Sequence, residues 1–78
     1  MDSARALIRP GQLRVWVGSD DLDVGETFIV LESDVIHLPS PRRKEAGWWI
    51  LRSDGRQALM FAEDLITDSE IVQEADDG

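Results

Sequence analysis

The dipeptide Asp54-Gly55 stands between two short apolar runs, residues 47–52 and Gln57–Phe61. No other feature constrains the fold as much, because Asp-Gly readily takes the backbone conformation of a tight turn between antiparallel strands. The run before it sets Trp48 and Ile50 on one face of a strand and Trp49 and Leu51 on the other. Residues 12–17 alternate in the same way, with Leu13, Val15 and Val17 on one face and Arg14 and Trp16 on the other. That period of two belongs to a half-buried strand. Residues 27–32 begin with Thr27, Phe28, Ile29 and Val30, and this nearly continuous apolar run predicts a central strand covered on both faces.

The remaining segments connect these strands. Residues 18–25 form a loop that carries Asp20, Asp21 and Asp23 and closes at the turn Gly25-Glu26. Residues 33–46 hold Pro39, Pro41 and the basic run Arg42-Arg43-Lys44, and predict a long loop that contains at most a short strand at 35–38. Residues 62–66 fit one short helical turn, and Ser69–Gln73 a last strand. The expected organisation is a flexible lead over residues 1–9, a domain over 10–73 and an acidic, frayed end over 74–78. The expected class is all-β: a small barrel or sandwich of about five strands, with one short helical turn and one long loop.

Composition narrows the possible functions. A chain of 78 residues supports one domain with a thin core. It has no cysteine, so it has no disulfide framework, thiolate metal site or cysteine nucleophile. Zinc would depend on His37 with carboxylates alone. Asp20, Asp21, Asp23 and Glu26 do not follow the ligand spacing of a calcium loop. No apolar run approaches the length of a membrane span, and the first nine residues lack the apolar stretch of a signal peptide. A soluble, cytoplasmic protein without a cofactor is expected.

The formal net charge is −8, from sixteen acids against eight bases. A field of that sign repels nucleic acid and suits a basic protein surface. Seven acids and no base follow Arg56. Such an end acts as a solubilising tail or as a mimic of nucleic-acid phosphate. Arg42-Arg43-Lys44 is too short a positive patch for strong nucleic-acid binding against the net field. His37 has no serine beside it in a recognisable nucleophile context, and no glycine-rich phosphate loop is present, so catalysis is not expected.

The order of these features resembles the Src-homology-3 (SH3-like) barrel over residues 12–73. An acidic loop leads into Gly25-Glu26 and a hydrophobic strand; a variable loop, Trp48-Trp49, an Asp-Gly hairpin, a helical turn and a final strand follow. Arg9-Pro10-Gly11-Gln12 and Trp49-Ile50-Leu51-Arg52-Ser53-Asp54-Gly55 are similar to segments of small SH3-like proteins of bacteriophages and actinobacteria. The resemblance implies that Trp48 is an exposed ligand-stacking residue and that Asp20, Asp21 and Asp23 face a ligand's basic residue. The chain lacks the aromatic motif of the family's first strand, has no tyrosine, and carries Ala62-Glu63-Asp64-Leu65 at the helical turn. The rings that wall a polyproline groove are therefore missing.

The function expected is that of a non-catalytic protein-binding module, a phage-encoded adaptor or inhibitor of a host protein with a basic surface. Trp48, Trp49 and Trp16 would anchor it, and Asp20, Asp21, Asp23 and Glu26 would select the partner. The alternative is a structural component of a virion or larger complex, assembling through strand edges.

Overall fold

The computed structural model describes residues 8–18, 24–39 and 43–75. Five strands form one antiparallel sheet: β1 (Leu13–Trp16), β2 (Thr27–Leu38), β3 (Arg43–Arg52), β4 (Gln57–Phe61) and β5 (Ser69–Gln73). Helix α1 (Ala62–Asp68) joins β4 to β5. The order across the sheet is β4-β3-β2-β1-β5, so the last strand returns to lie beside the first. Among the described residues β4 and β5 are its two edges, and the sheet is not closed.

The Asp-Gly hairpin forms where the sequence places it. Gly55 takes φ +87°, and its amide donates to the Arg52 carbonyl at 2.9 Å. The Asp54 carboxylate accepts from the Arg56 amide at 2.9 Å, which fixes the other side of the turn. β4 and β5 have the predicted bounds, while the helical turn extends two residues further, to Asp68.

One face of the sheet supplies the core. Phe28, Val30, Ile50, Trp16, Leu65 and Ile8 are buried there, with Trp48, Ala58, Met60 and Ala62 packed around them. The Trp16 and Phe28 rings stack with centroids 4.5 Å apart. A pair of this kind adds about 1 kcal/mol beyond its buried area.

Three expectations are corrected. First, the β1 face that carries the expected anchor Trp16 is the inner one: Gln12, Arg14 and Trp16 point inward and are buried, whereas Leu13 and Val15 are half-buried and Val17 is exposed. Trp16 is only 4% exposed, so it is a core residue and not a surface anchor. Second, β2 is central but covered on one face only, since Phe28 and Val30 are buried and Ile29 is exposed. Third, residues 33–46 are not a long loop. Val35 pairs with Ala46, Ile36 with Glu45, His37 with Lys44 and Leu38 with Arg43, extending the β2–β3 hairpin into an arm. The β-branched and apolar residues of 35–38 favour extended pairing, and the prolines lie beyond them.

Two polar side chains can face the core because a network satisfies them. Arg14 Nε donates to Ser69 Oγ at 2.9 Å, Nη1 to Gln12 Oε1 at 3.0 Å and Nη2 to the Leu65 carbonyl at 3.2 Å. Gln12 Nε2 donates to the Glu74 carboxylate at 2.9 Å. Burial pulls the Arg14 pKa below its ordinary value, and the Glu74 charge pushes it back up. The network also finishes α1, whose last turn has no basic residue of its own. Leu65 O accepts from Arg14 and from the Ser69 hydroxyl, and Asp68 O accepts from the Val17 amide at 2.8 Å. Carbonyls left open at the helix end thus find donors on β1, β5 and the residue after β1.

Candidate binding surface

Strand alternation places a second apolar set on the face away from the core. Register aligns it in rows: Leu13, Ile29 and Leu51 lie side by side across β1, β2 and β3, and Trp49 lies beside Leu59 on β4. Phe61 follows on β4, opposite Gly47. All are half-buried except Ile29, which is 39% exposed. Gly47 is required here, because a Cβ would come within 2.7 Å of the Ile36 side chain and 3.1 Å of the Met60 carbonyl. Ile36 therefore lies over the Gly47 backbone and continues the apolar surface toward the arm.

Acids border this surface. Glu32 pairs directly with Trp49, Asp34 with Gly47, and Glu70 with Val15 on the same face. Asp34 holds the centre in place: one carboxylate oxygen accepts from Trp49 Nε1 at 3.0 Å, and the other from the Val35 amide at 2.7 Å. The indole bond and then the amide bond lower the Asp34 pKa; slight desolvation opposes them and His37 adds to them. The ionised carboxylate thus fixes the orientation of Trp49 at neutral pH.

The two neighbouring tryptophans divide as alternation requires. Trp48 packs against the core, contrary to its implied exposure, because its partner Met60 and its neighbour Ile50 face inward. Trp49 occupies the outer face. Glu26 is exposed, and its carboxylate accepts from the Ser53 hydroxyl, which ties the start of β2 to the β3–β4 turn. Asp20, Asp21 and Asp23 lie outside the described residues.

Sequence reasoning missed Ile29, Leu51, Leu59 and Phe61 as surface and Asp34 as a positioning group. Alternation alone puts Trp49 and Leu51 on one face, but Asp34 lies in the segment 33–46, whose prolines and basic run predict a loop. The arm ends in a shallow depression of about 430 Å³ lined by His37, Leu38, Pro39, Arg43 and Lys44. Arg43 pairs with Glu45 there at 3.3 Å. Among the described residues, no three His, Asp or Glu side chains are grouped to hold a metal ion, and no helix is long and apolar enough to cross a membrane. Comparison with protein-family models, curated proteins and solved structures returns no match to this chain.

Proposed function

We propose that the chain is a non-catalytic protein-binding module that uses the outer sheet face around Trp49 to hold a partner with a basic, partly apolar surface. One observation carries this reading: an apolar patch crossing four strands on the solvent side, whose bordering charges are Glu32, Asp34 and Glu70. Half-exposed aromatic and aliphatic area supplies contact energy, and a tryptophan is a frequent centre of it. The acids would favour encounter with a positive surface and add to the attraction of the −8 chain. Trp49 thus replaces Trp48 as the anchor.

The proposal includes an SH3-like barrel as the scaffold. The meander β1 to β4, the short helix and the return of β5 beside β1 follow the order that the resemblance implies. The resemblance also supports a phage-encoded adaptor or inhibitor acting in the host cytoplasm.

The test is capture from bacterial cytosol at low and high salt, comparing wild type, Trp49→Ala and Glu32→Gln with Glu70→Gln. One retained protein, lost with Trp49→Ala and weakened by salt and by the double substitution, supports the reading. Retention that ignores both Trp49 and salt refutes it. Capture of no host protein, with assembly only onto proteins from its own genome, favours a structural role.

A further inference from the structure

β2 and β3 outrun their neighbours. The last β1 partner on β2 is Ile29, and beyond it the Gly11 amide reaches the Val30 carbonyl at 2.7 Å. The last β4 partner on β3 is Gly47. Four further pairs, Val35↔Ala46 to Leu38↔Arg43, project past both. At about 3.3 Å per residue the arm extends roughly 13 Å beyond the body of the sheet. A two-stranded ribbon is marginal in water by itself.

The two edges of this arm differ in chemistry. On β3 it carries Arg43-Lys44-Glu45, the kind of charged edge that resists pairing. On β2 it carries Val35-Ile36-His37-Leu38, with no lysine, proline or bulge, and with Val35 45% exposed. The direction of the backbone groups is readable. The Val35 amide bonds the Asp34 carboxylate and not β3, so it points away from β3. By alternation the amides of Ser33 and His37 point the same way. Among the described residues no strand pairs with this edge.

We infer that the outer edge of β2 from Glu32 to Leu38 pairs with the same edge of a second copy of this chain, antiparallel about a two-fold axis near Val35. The charge pattern fits this occupant at the ends of the edge. Glu32 and Asp34 stand at one end, and at the other the adjoining strand carries Arg43 beside Leu38, Lys44 beside His37 and Glu45 beside Ile36. Antiparallel self-pairing about Val35 sets Glu32 of each copy opposite Leu38 of the other, with Arg43 about two strand spacings or ~10 Å away, while Asp34 falls opposite Ile36 with Glu45 at the same distance, which weakens the pairing. The four pairs of the arm carry one acid, Glu45, against two permanent cations, Arg43 and Lys44, so the arm is the part of this acidic chain least opposed to self-approach. Asp34 sets the strength. In the single chain its carboxylate occupies the Val35 amide that the second copy would use, so pairing exchanges one bond for another and is weak.

Sedimentation equilibrium over about 10 μM to about 1 mM reads the association directly. The expected result for wild type is a monomer–dimer equilibrium. Asp34→Ala frees the edge amide in both copies and should tighten the dimer about tenfold. Glu63→Ala makes the same charge change on exposed helix and should leave the affinity within about twofold. Val35→Pro removes an amide that β3 does not use and should give a monomer, also in the Asp34→Ala background. Hydrogen exchange on wild type should show protection of the Ser33, Val35 and His37 amides rising with protein concentration, whether or not the proline variant folds. Monomers throughout for wild type and Asp34→Ala overturn the inference, as does a dimer indifferent to Val35→Pro. So do edge amides protected at every concentration in a monomer, because the chain's own residues would then cover them.

Discussion

Replacing Arg14 with methionine should destabilise the protein by about 2–4 kcal/mol, a large share of the roughly 4–12 kcal/mol available to a domain of this size. Two effects oppose each other. Removing a buried guanidinium that has no carboxylate in direct contact relieves a desolvation cost, which favours the variant. Against this, Gln12 Oε1 loses a donor in a site where Gln12 is itself 0% exposed, and Ser69 Oγ loses another. An orphaned buried acceptor costs about 1–3 kcal/mol. Leu65 O keeps the Ser69 hydroxyl, so it is not orphaned, but the tie from β1 to the end of α1 is lost. The orphaned acceptors outweigh the relief because methionine fills only the stem of the site.

The assay is urea unfolding followed by tryptophan fluorescence and far-ultraviolet circular dichroism, with stability from linear extrapolation. A double-substitution cycle sharpens it. In Gln12→Met with Arg14→Met the orphaned amide oxygen is gone, so the pair should cost about 1–2 kcal/mol less than the sum of the singles. If Arg14→Met were neutral or stabilising, or if the two substitutions were additive, the claim that this network determines which face of β1 is buried would be wrong.

Gly47→Ala should lower stability by about 1–3 kcal/mol in the same urea assay, because the new Cβ meets Ile36 at 2.7 Å and the Met60 carbonyl at 3.1 Å. Adding Ile36→Ala should recover part of the loss, the remainder belonging to the carbonyl. Phe28→Ala removes a ring 2% exposed and stacked on Trp16, and should cost about 3–5 kcal/mol. The Asp34 pKa is lowered in the folded chain, so its contribution to stability is present above the unfolded value of about 3.9 and is lost as pH falls through the folded value. Trp49 emission should change over that acidic range, and the change should be absent in Asp34→Ala.

Local patterns made much of the fold legible. The Asp54-Gly55 turn, the bounds of β4 and β5 and the opposition of Trp48 to Trp49 each depend on neighbours within a few residues. Two things were not local. The facing of β1 offered a choice between an all-aliphatic side and one with Arg14 and Trp16. The second is buried because Ser69 and Glu74, 55 residues from Arg14 and 62 from Gln12, complete its hydrogen bonds. The arm was hidden because prolines and a basic run near its tip look like loop chemistry, while the pairing of 35–38 with 43–46 depends on register inherited from the core. The candidate surface suffered the same way: periodicity separates two faces of a strand, but only packing tells which one meets water.

The network around Arg14 also bears on the order in which the chain can complete itself as it is made. β2, β3 and β4 follow one another and can pair as they emerge from the ribosome. β1 is synthesised before them, yet the hydroxyl, carbonyl and carboxylate that Gln12 and Arg14 need all come from residues 65–74. Until those residues are free, the guanidinium must keep its water, and the side of β1 that bears Trp16 cannot close for good. β1, made before the other four strands described, is thus among the last to settle, and a growing chain halted before residue 69 would carry an unsealed core.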